Sequence, residues 1–267
     1  MRRLLIGLLL ATTVLFAPAD AATDTGLHVV SHSGQVTAIG DAIDAGDAGP
    51  GGLPSPVMDM ATTPTNAGYW LATGDGVVLA FGDAEFHGSA ASTQLKSPVV
   101  GIAATPTGAG YWLVAADGGV FSFGDAVFAG STGDRRLNQP IVGMAAAPNT
   151  GGYWFVAGDG GIFSFGGAKF YGSTGDVRLQ QPIVSMAAHP SGRGYWFVAR
   201  DGGVFPFGAA KFHGAAAGEP PASAVVDIVA TPSGSGYWLV TGDGHALAYG
   251  DAADLPSPGR AGTVGGS

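Results

Sequence analysis

A tyrosine-tryptophan pair recurs at a constant spacing along most of the chain. Successive pairs are 42 residues apart, and together they use all five tryptophans of the protein. They are Tyr69-Trp70, Tyr111-Trp112, Tyr153-Trp154, Tyr195-Trp196 and Tyr237-Trp238. A period in the low forties that is built from short strands and tight turns is typical of an array of small β-sheets, most often the blades of a β-propeller. The repeat therefore constrains the fold more than any other feature of the sequence.

One unit of the repeat, residues 98–130, predicts four strands. Asp117-Gly118 lies between the second and third strands and tolerates the positive φ of a tight hairpin. The second strand is apolar on both faces, as expected for a sheet that packs between two neighbouring sheets, so its tryptophan is expected to be buried in the core. The four predicted strands are Val99–Ala104, Tyr111–Ala115, Val120–Phe123 and Val127–Ala129.

Residues 27–42 keep the phase of the repeat but have neither aromatic residue. The repeat thus has six copies, of which the first is degenerate, as terminal repeats often are. The first strand of the unit occurs five times, whereas the second and third strands occur six times. The predicted fold is all-β: a β-propeller-like array of about six four-stranded blades in one domain over residues 22–267. The glycine-rich residues 259–267 would supply the missing strand, and an imperfectly closed ring is the alternative.

The amino terminus has the features of a secretory signal peptide. Arg2 and Arg3 precede the apolar run 4–16, and residues 19–21 form a small-residue cleavage site. We therefore expect a signal peptide over residues 1–21 and a secreted, extracellular mature protein that is free or associated with the cell wall. The apolar run is short for a membrane span, although its retention as an uncleaved anchor is the alternative. No transmembrane span is expected in the mature chain.

Charge and cysteine content exclude several classes of function. Without residues 1–21 the chain has nine basic and nineteen acidic residues, so its net charge is −10. This charge disfavours nucleic acid, whose phosphates need basic partners, and anionic lipid. The chain has no cysteine, which excludes disulfides, thiol catalysis and a lipidated-cysteine anchor. Apolar residues make up 46% of the sequence, which is enough for a substantial core.

The repeated polar residues are explained by turns better than by catalysis. Aspartate recurs between the second and third strands and again after the third strand, where Asp-Gly and Gly-Asp sequences favour tight turns. The sequence contains neither a GxxxxGKS/T phosphate-binding loop nor a Gly-x-Ser-x-Gly nucleophile elbow. No catalytic residue, metal site or cofactor is predicted from these motifs.

Departures from the repeat are the candidates for selective binding. The first-strand position that is small in three repeats holds Asp59 and Asp227 in two others. We expect these carboxylates to face the central channel, where they hold water, a cation or a ligand amine.

Side chains on loops and outer strands form a second set of candidates. Arginine and aromatic residues suit glycan or protein surfaces, because guanidinium groups pair with carboxylates and rings stack on apolar faces. The loop candidates are Arg135, Arg136, Arg178 and Arg193, and the outer-strand candidates are His87, Tyr171 and His213. The histidine and tyrosine positions are expected to be decoration facing solvent, or part of a groove between blades.

The unit Gly-Tyr-Trp-Leu-Val-Ala-x-Asp-Gly-Gly-Val-Phe-x-Phe-Gly-Asp-Ala-x-Phe-x-Gly-Ser resembles the propeller-like repeats of secreted and cell-wall-associated proteins of actinobacteria. The resemblance covers nearly all of the mature chain, residues 27–258. It implies an exported repeat protein, and in that group such repeats often accompany envelope hydrolases or other catalytic domains. The resemblance carries over no catalytic residues, and we expect residues 22–267 to be occupied by the repeats, without a separate catalytic domain among them.

Three functions are compatible with the sequence. The favoured one is an exported, non-catalytic binding or scaffold module, expected to be monomeric, whose partner is a cell-wall glycan or an envelope protein. A propeller hydrolase or lyase is the alternative, with its site at the mouth of the central channel. It requires Asp59, Asp227, His189, Arg193 and Arg200 to converge. The third is a purely structural envelope protein that is retained in the wall and has no soluble ligand.

Overall fold

The computed structural model describes residues 26–49 and 52–256. In these ranges the chain forms seventeen β-strands and no helix, so it contains no helix that could span a membrane. The strands form six antiparallel sheets, called sheets 1 to 6 in chain order; sheet 1 has two strands and each of the others has three. The predicted signal peptide, residues 1–21, and the predicted closing segment, residues 259–267, lie outside the described residues.

Every sheet is a simple meander in which each strand pairs with the next strand along the chain. Sheet 1 consists of β1 (Leu27–Val30) and β2 (Val36–Ile39). Sheets 2 and 3 consist of β3 (Val57–Thr62), β4 (Gly68–Thr73), β5 (Val78–Gly82), β6 (Val99–Ala104), β7 (Gly110–Ala115) and β8 (Val120–Gly124). Sheets 4 to 6 consist of β9 (Ile141–Ala147), β10 (Gly152–Ala157), β11 (Ile162–Phe165), β12 (Ile183–Ala188), β13 (Gly194–Ala199), β14 (Val204–Gly208), β15 (Val225–Ala230), β16 (Gly236–Thr241) and β17 (Ala246–Gly250).

The all-β repeat predicted from the sequence is confirmed. The first strand of the unit occurs five times and the second and third strands six times, as predicted, because residues 27–42 form only the hairpin β1–β2. In the unit used for the prediction, the ends of the first three strands differ from the structure by no more than one residue.

The fourth strand predicted over Val127–Ala129 is wrong. The segment that follows the third strand, called here the outer segment, has no strand in any repeat of the described ranges. In sheets 2 to 5 it ends at a glycine such as Gly130, whose φ of 135° is incompatible with a continued ladder. The five outer segments of sheets 2 to 6 are residues 84–88, 126–130, 168–172, 210–214 and 252–256.

Tryptophan and tyrosine side chains hold the outer segments in place of a backbone ladder. In sheets 2 to 6 the tryptophan Nε1 donates a hydrogen bond of 2.7–2.9 Å to a carbonyl of the outer segment of its own sheet. The tyrosine hydroxyl binds the outer segment of the preceding sheet. Tyr153 Oη accepts the N–H of Ala129 at 3.0 Å and donates to the carbonyl of Gly130 at 2.6 Å. Tyr111, Tyr195 and Tyr237 make the equivalent pairs of bonds.

The second strands form the core, and the sheets close into a ring. The five second strands that carry the Tyr-Trp pair are buried along their whole length, and each tryptophan is at most 3% exposed, which confirms their predicted burial. Apolar clusters lie between every pair of consecutive sheets. A further cluster joins Leu27 of β1 to Trp238 of β16, so sheet 6 packs on sheet 1.

The degenerate first repeat keeps one of these bonds with a different residue. His28 occupies the position of Trp70 one period earlier, and its Nε2 lies 2.8 Å from the carbonyl oxygen of Ile43. That carbonyl is the counterpart of the Glu85 carbonyl, which accepts from Trp70 Nε1 at 2.7 Å. Because a carbonyl only accepts, Nε2 of His28 carries the proton. A buried histidine thus takes over the hydrogen bond of the missing tryptophan.

The ring has two different ends. At the connector end, the turns after the second strands meet the connectors between sheets; the N–H of Thr132 in a connector donates to the carbonyl of Gly118 in a turn at 3.0 Å. At the loop end, the turns after the first strands meet those after the third strands. There Asp125 accepts hydrogen bonds from the hydroxyls of Thr105 at 2.8 Å and Thr107 at 2.5 Å.

Removal of one inter-sheet hydroxyl should destabilise the ring. Tyr153→Phe leaves the N–H of Ala129 and the carbonyl of Gly130 without their partner between sheets 3 and 4. We expect the free energy of unfolding to fall by about 1–3 kcal/mol, measured by urea denaturation of the chain without residues 1–21. Tyr171→Phe is the control, because that hydroxyl makes a single bond of 3.3 Å to the carbonyl of Gly192. Equal losses in the two variants would contradict the assigned role of Tyr153.

The buried hydroxyls should also make the ring sensitive to alkali. Burial raises the pKa of all five tyrosines of the Tyr-Trp pairs, and burial followed by the Asp44 carboxylate raises the pKa of Tyr69 to about 12. A group whose pKa is higher in the folded state stabilises the fold below its unfolded pKa, which is about 10 for tyrosine. We therefore expect the urea midpoint to fall as the pH rises from 10 through 12. Tyr69→Phe should weaken this dependence, and an unchanged slope would contradict it.

Candidate functional site

The first strands of sheets 2 to 6 surround a cavity of about 330 Å³ on the ring axis. Each of these strands has a β-bulge at the same position, where its pairing with the second strand shifts by one residue. A bulge re-aims the side chains around it, and in four of the five strands the residue after the bulged one also lines the cavity. The bulged residues are Met58, Val100, Val142, Val184 and Val226, and all five line the cavity.

Asp59 follows the bulge in β3 and joins two sheets. Its carboxylate is 5% exposed, accepts the N–H of Met60 at 2.7 Å and accepts the N–H of Ile102 in β6 at 2.9 Å. Burial is the main cause that raises the pKa of Asp59 well above its usual range, and the carboxylate of Asp227 raises it further. The two N–H groups oppose this shift. Asp59 is therefore a carboxyl group whose protonated form is favoured by its surroundings.

Asp227 occupies the same position in β15 and is 1% exposed. Its Oδ1 accepts hydrogen bonds from the hydroxyl of Ser185 in β12 and from the N–H of Ile228 at 2.8 Å. Asp59 and Asp227 belong to sheets 2 and 6, the two neighbours of sheet 1, and both line the axial cavity. The structure thus brings together the two carboxylates that the sequence singled out.

The residues required by the hydrolase alternative do not all meet at this cavity. Asp59, Asp227 and Arg200 line it, with Arg200 at the connector end. His189 and Arg193 lie in the turn between β12 and β13, at the loop end. The His189 ring stacks on Trp196 at a centroid distance of 5.3 Å, and burial, followed by Arg193, lowers its pKa. These two residues therefore belong to a different end of the ring from the carboxylates.

The arginines predicted for the binding loops are also divided between the two ends. Arg135 and Arg136 lie in the connector between sheets 3 and 4, and Arg178 lies in the connector between sheets 4 and 5. Arg193 is at the loop end, whereas Arg200, in the turn between β13 and β14, joins the first three at the connector end. All five are exposed. The group called here the arginine surface consists of Arg135, Arg136, Arg178 and Arg200.

The three outer-strand candidates are half-buried between neighbouring sheets and do not project into solvent. They are His87, Tyr171 and His213. Their rings lie 5.8, 5.9 and 5.7 Å from the rings of Tyr111, Tyr195 and Tyr237. Nε2 of His87 and of His213 is buried and has no hydrogen-bond partner among the described residues. The packing of these three side chains is explained by the junction between sheets.

The repeated aspartates have the turn roles expected from the sequence. Oδ1 of Asp117 accepts the N–H of Gly119 at 2.9 Å, and Asp159 and Asp201 make the same bond at 3.0 Å. After the third strands, Asp83, Asp125 and Asp251 accept hydroxyl groups from the loop-end turns. Within residues 26–49 and 52–256, no three histidine, aspartate or glutamate side chains are grouped so that they could hold a metal ion.

Sequence reasoning missed one set of surface residues. Four phenylalanines in the outer segments are 57–63% exposed and lie 42 residues apart. They are Phe86, Phe128, Phe170 and Phe212. Their period was visible in the sequence, but the prediction of a fourth strand gave no reason to separate them from the core phenylalanines.

Comparisons with known proteins identify a similar fold and no family. Neither a known protein family nor a curated protein matches the chain. The chain is similar to a solved structure described as a structural genomics protein of unknown function from Bacteroides thetaiotaomicron VPI-5482. The TM-score is 0.57 at 12% sequence identity, and the match covers 91% of this chain and 70% of the other. At this identity the similarity concerns the fold alone.

The buried carboxyl pair should give the protein an unusual pH dependence. Because the pKa of Asp59 is raised in the folded state, its contribution to stability is complete below the unfolded pKa of about 3.9 and is lost as the pH rises. Between the unfolded and the folded pKa of Asp59, the free energy of unfolding of the wild type should fall with rising pH. The expected loss relative to Asp59→Asn is about 1.4 kcal/mol per pH unit. Urea denaturation at several pH values between 4 and 8 measures this difference. Asp117→Asn, at an ordinary turn, is the control; parallel curves for the wild type and Asp59→Asn would contradict the shift.

Proposed function

We propose that this protein is an exported, non-catalytic binding module of the cell envelope, and that its arginine surface binds acidic groups of a cell-wall glycan. The arginine surface is the observation that carries the proposal. The proposal has three further parts. Residues 1–21 direct secretion, and the protein stays at the wall because it binds there. The chain is related to the repeat proteins of actinobacteria that its repeat unit resembles.

The charge distribution supports a binding role for the connector end. The four guanidinium groups of the arginine surface are exposed on two successive connectors and on one turn of sheet 5, in an acidic protein. In the part of the chain that the structure describes, none of them lies within ion-pair distance of a carboxylate. Turn aspartates of the same end are occupied with backbone N–H groups, as at Asp159 and Asp201. Guanidinium groups that lack internal partners are available for carboxylates or phosphates of a ligand.

The fold supports the same proposal. We infer that the ring is a six-bladed β-propeller in which side-chain hydrogen bonds to the outer segments replace the fourth strand of each blade. A closed ring with six packed junctions holds its connectors at set positions relative to one another. Such a scaffold lowers the entropic cost of presenting several arginines to one ligand.

The arginine surface can be tested by retention on isolated cell walls. Arg135→Ala, Arg136→Ala, Arg178→Ala and Arg200→Ala together should reduce retention at least about 10-fold, since each charge-assisted hydrogen bond contributes roughly 1.5–3 kcal/mol. Retention of the wild type should also fall with salt, because exposed charges are screened.

Arg193→Ala is the matched control, because it removes an exposed arginine from the opposite end of the ring. It should leave retention unchanged. Unchanged retention of the fourfold variant, with an intact fold, would refute the arginine surface as the binding site. Retention that disappears when the walls are stripped of protein would instead indicate an envelope protein as the partner.

A hydrolase or lyase is the second candidate function, reduced to the axial residues Asp59, Asp227 and Arg200, because His189 and Arg193 lie at the other end of the ring and do not converge with them. Two buried carboxyl groups line the same cavity, and burial raises the pKa of Asp59, as is found for the acid of such enzymes. The test is turnover of cell-wall polymers by the mature protein. Hydrolysis that is abolished by Asp59→Asn or Asp227→Asn, with retention on walls unchanged, would favour the enzyme over the binding module.

A further inference from the structure

The outer segments expose one phenylalanine in each of four consecutive repeats. Phe86, Phe128, Phe170 and Phe212 are 60%, 57%, 63% and 59% exposed. We call these four residues the phenylalanine rim. Single exposed apolar residues are common on protein surfaces, whereas four phenylalanines at one repeated position form a regular series that can contact a repeating ligand.

The fold does not require phenylalanine at this position. The residue before it supplies the carbonyl that binds tryptophan, and the residue after it supplies the N–H that binds tyrosine. In sheet 6 the same position holds Asp254, and its outer segment still makes the tryptophan bond, from Trp238 Nε1 to the carbonyl of Ala253 at 2.8 Å. The outer segment therefore forms without the aromatic ring, which leaves the rim available for another role.

The arrangement of the rim restricts what can bind to all of it. The four residues lie on sheets 2 to 5 of a closed ring of six, so successive side chains are rotated by about 60° around the axis. Together they extend around roughly half of the circumference. A flat membrane or one globular partner would contact one or two of them. A long, flexible polymer that follows the outside of the ring can contact all four.

The neighbouring charges indicate an uncharged ligand. The residue that precedes each phenylalanine is exposed and changes from Glu85 to Val127, Lys169 and Lys211, while the aromatic ring stays the same. A ligand recognised through charge would need one sign along the rim. An aromatic face carries negative partial charge and attracts the slightly positive C–H groups of a pyranose ring without any formal charge.

We propose that the phenylalanine rim is a set of four equivalent subsites for an uncharged polysaccharide that runs around the outside of the ring. Each subsite stacks one phenylalanine on the C–H face of a sugar. One such contact is weak, but linked contacts raise the overall affinity by factors of roughly 100–10,000. The rim is separate from the arginine surface, and it binds a neutral polymer rather than an acidic one.

Affinity electrophoresis of the mature protein tests the rim. The native gels contain one of four neutral polysaccharides built of pyranose rings: a linear β-glucan, a glucomannan, a mannan or a linear xylan. We expect at least one of them to retard the wild type, and to do so equally in about 1 M salt, where contacts to arginine are screened. Replacement of all four phenylalanines by serine should weaken binding roughly 100-fold, with intermediate losses for one or two replacements.

Two controls separate stacking from general hydrophobicity. Val127→Ser with Val177→Ser removes two apolar side chains that are 69% and 57% exposed but have no ring, and it should leave binding unchanged. Phenylalanine-to-tyrosine replacement at all four positions should preserve binding, because it keeps the ring. Urea midpoints of all variants show whether the fold is intact.

Three results would overturn the rim as a polysaccharide site. The first is that none of the four polysaccharides retards the wild type. The second is equal retardation of the fourfold serine variant and the wild type. The third is that the serine replacements abolish self-association in size-exclusion chromatography, or binding to phosphatidylcholine vesicles, without affecting any polysaccharide. Unchanged retention of the arginine variants on cell walls would refute the arginine surface but not the rim. The rim binds by stacking on an uncharged sugar, and this contact is expected to be independent of salt.

Discussion

The structure depends on a tyrosine hydroxyl at five of the six junctions between sheets. The hydroxyl of Tyr153 accepts an N–H and donates to a carbonyl of the outer segment of the preceding sheet. These backbone groups have no ladder partner, so they would be costly to bury without it. The neighbouring Trp154 binds the outer segment of its own sheet. The Tyr-Trp pair therefore holds two successive outer segments from one strand, which explains why the two residues recur together.

The degenerate first repeat keeps the hydrogen bond of the tryptophan and lacks those of the tyrosine. His28 keeps the bond of a tryptophan, but Leu27 stands where a tyrosine would bind the outer segment of sheet 6. At that junction the sheets meet through an apolar cluster that includes Leu27, Trp238 and Val240. The ring thus replaces directional hydrogen bonds by hydrophobic contact at the place where its first and last sheets join.

The two candidate binding surfaces lie at positions that take no part in the hydrogen bonds between the Tyr-Trp pairs and the outer segments. The arginine surface lies on connectors and a turn, and the phenylalanine rim lies at an outer-segment position whose backbone bonds neither the tryptophan nor the tyrosine. Both can vary without loss of the ring, as Asp254 in the rim position of sheet 6 illustrates. Asp59 and Asp227 differ from them, because both are buried and each binds across to a neighbouring sheet. Their replacement therefore acts on the fold as well as on the cavity.

The sequence by itself determined the period, the three strands of each unit, the burial of the tryptophans and the turn roles of the aspartates, because these follow from local patterning. Only the tertiary structure decided three other features. The fourth strand is absent because side chains from two different sheets satisfy the outer segment. Arg193 is separated from Arg135 and Arg136 because alternating strand directions place successive turns at opposite ends. The phenylalanines of the rim face water because a residue's burial depends on which neighbouring sheet reaches it, and the linear order of residues does not contain that information.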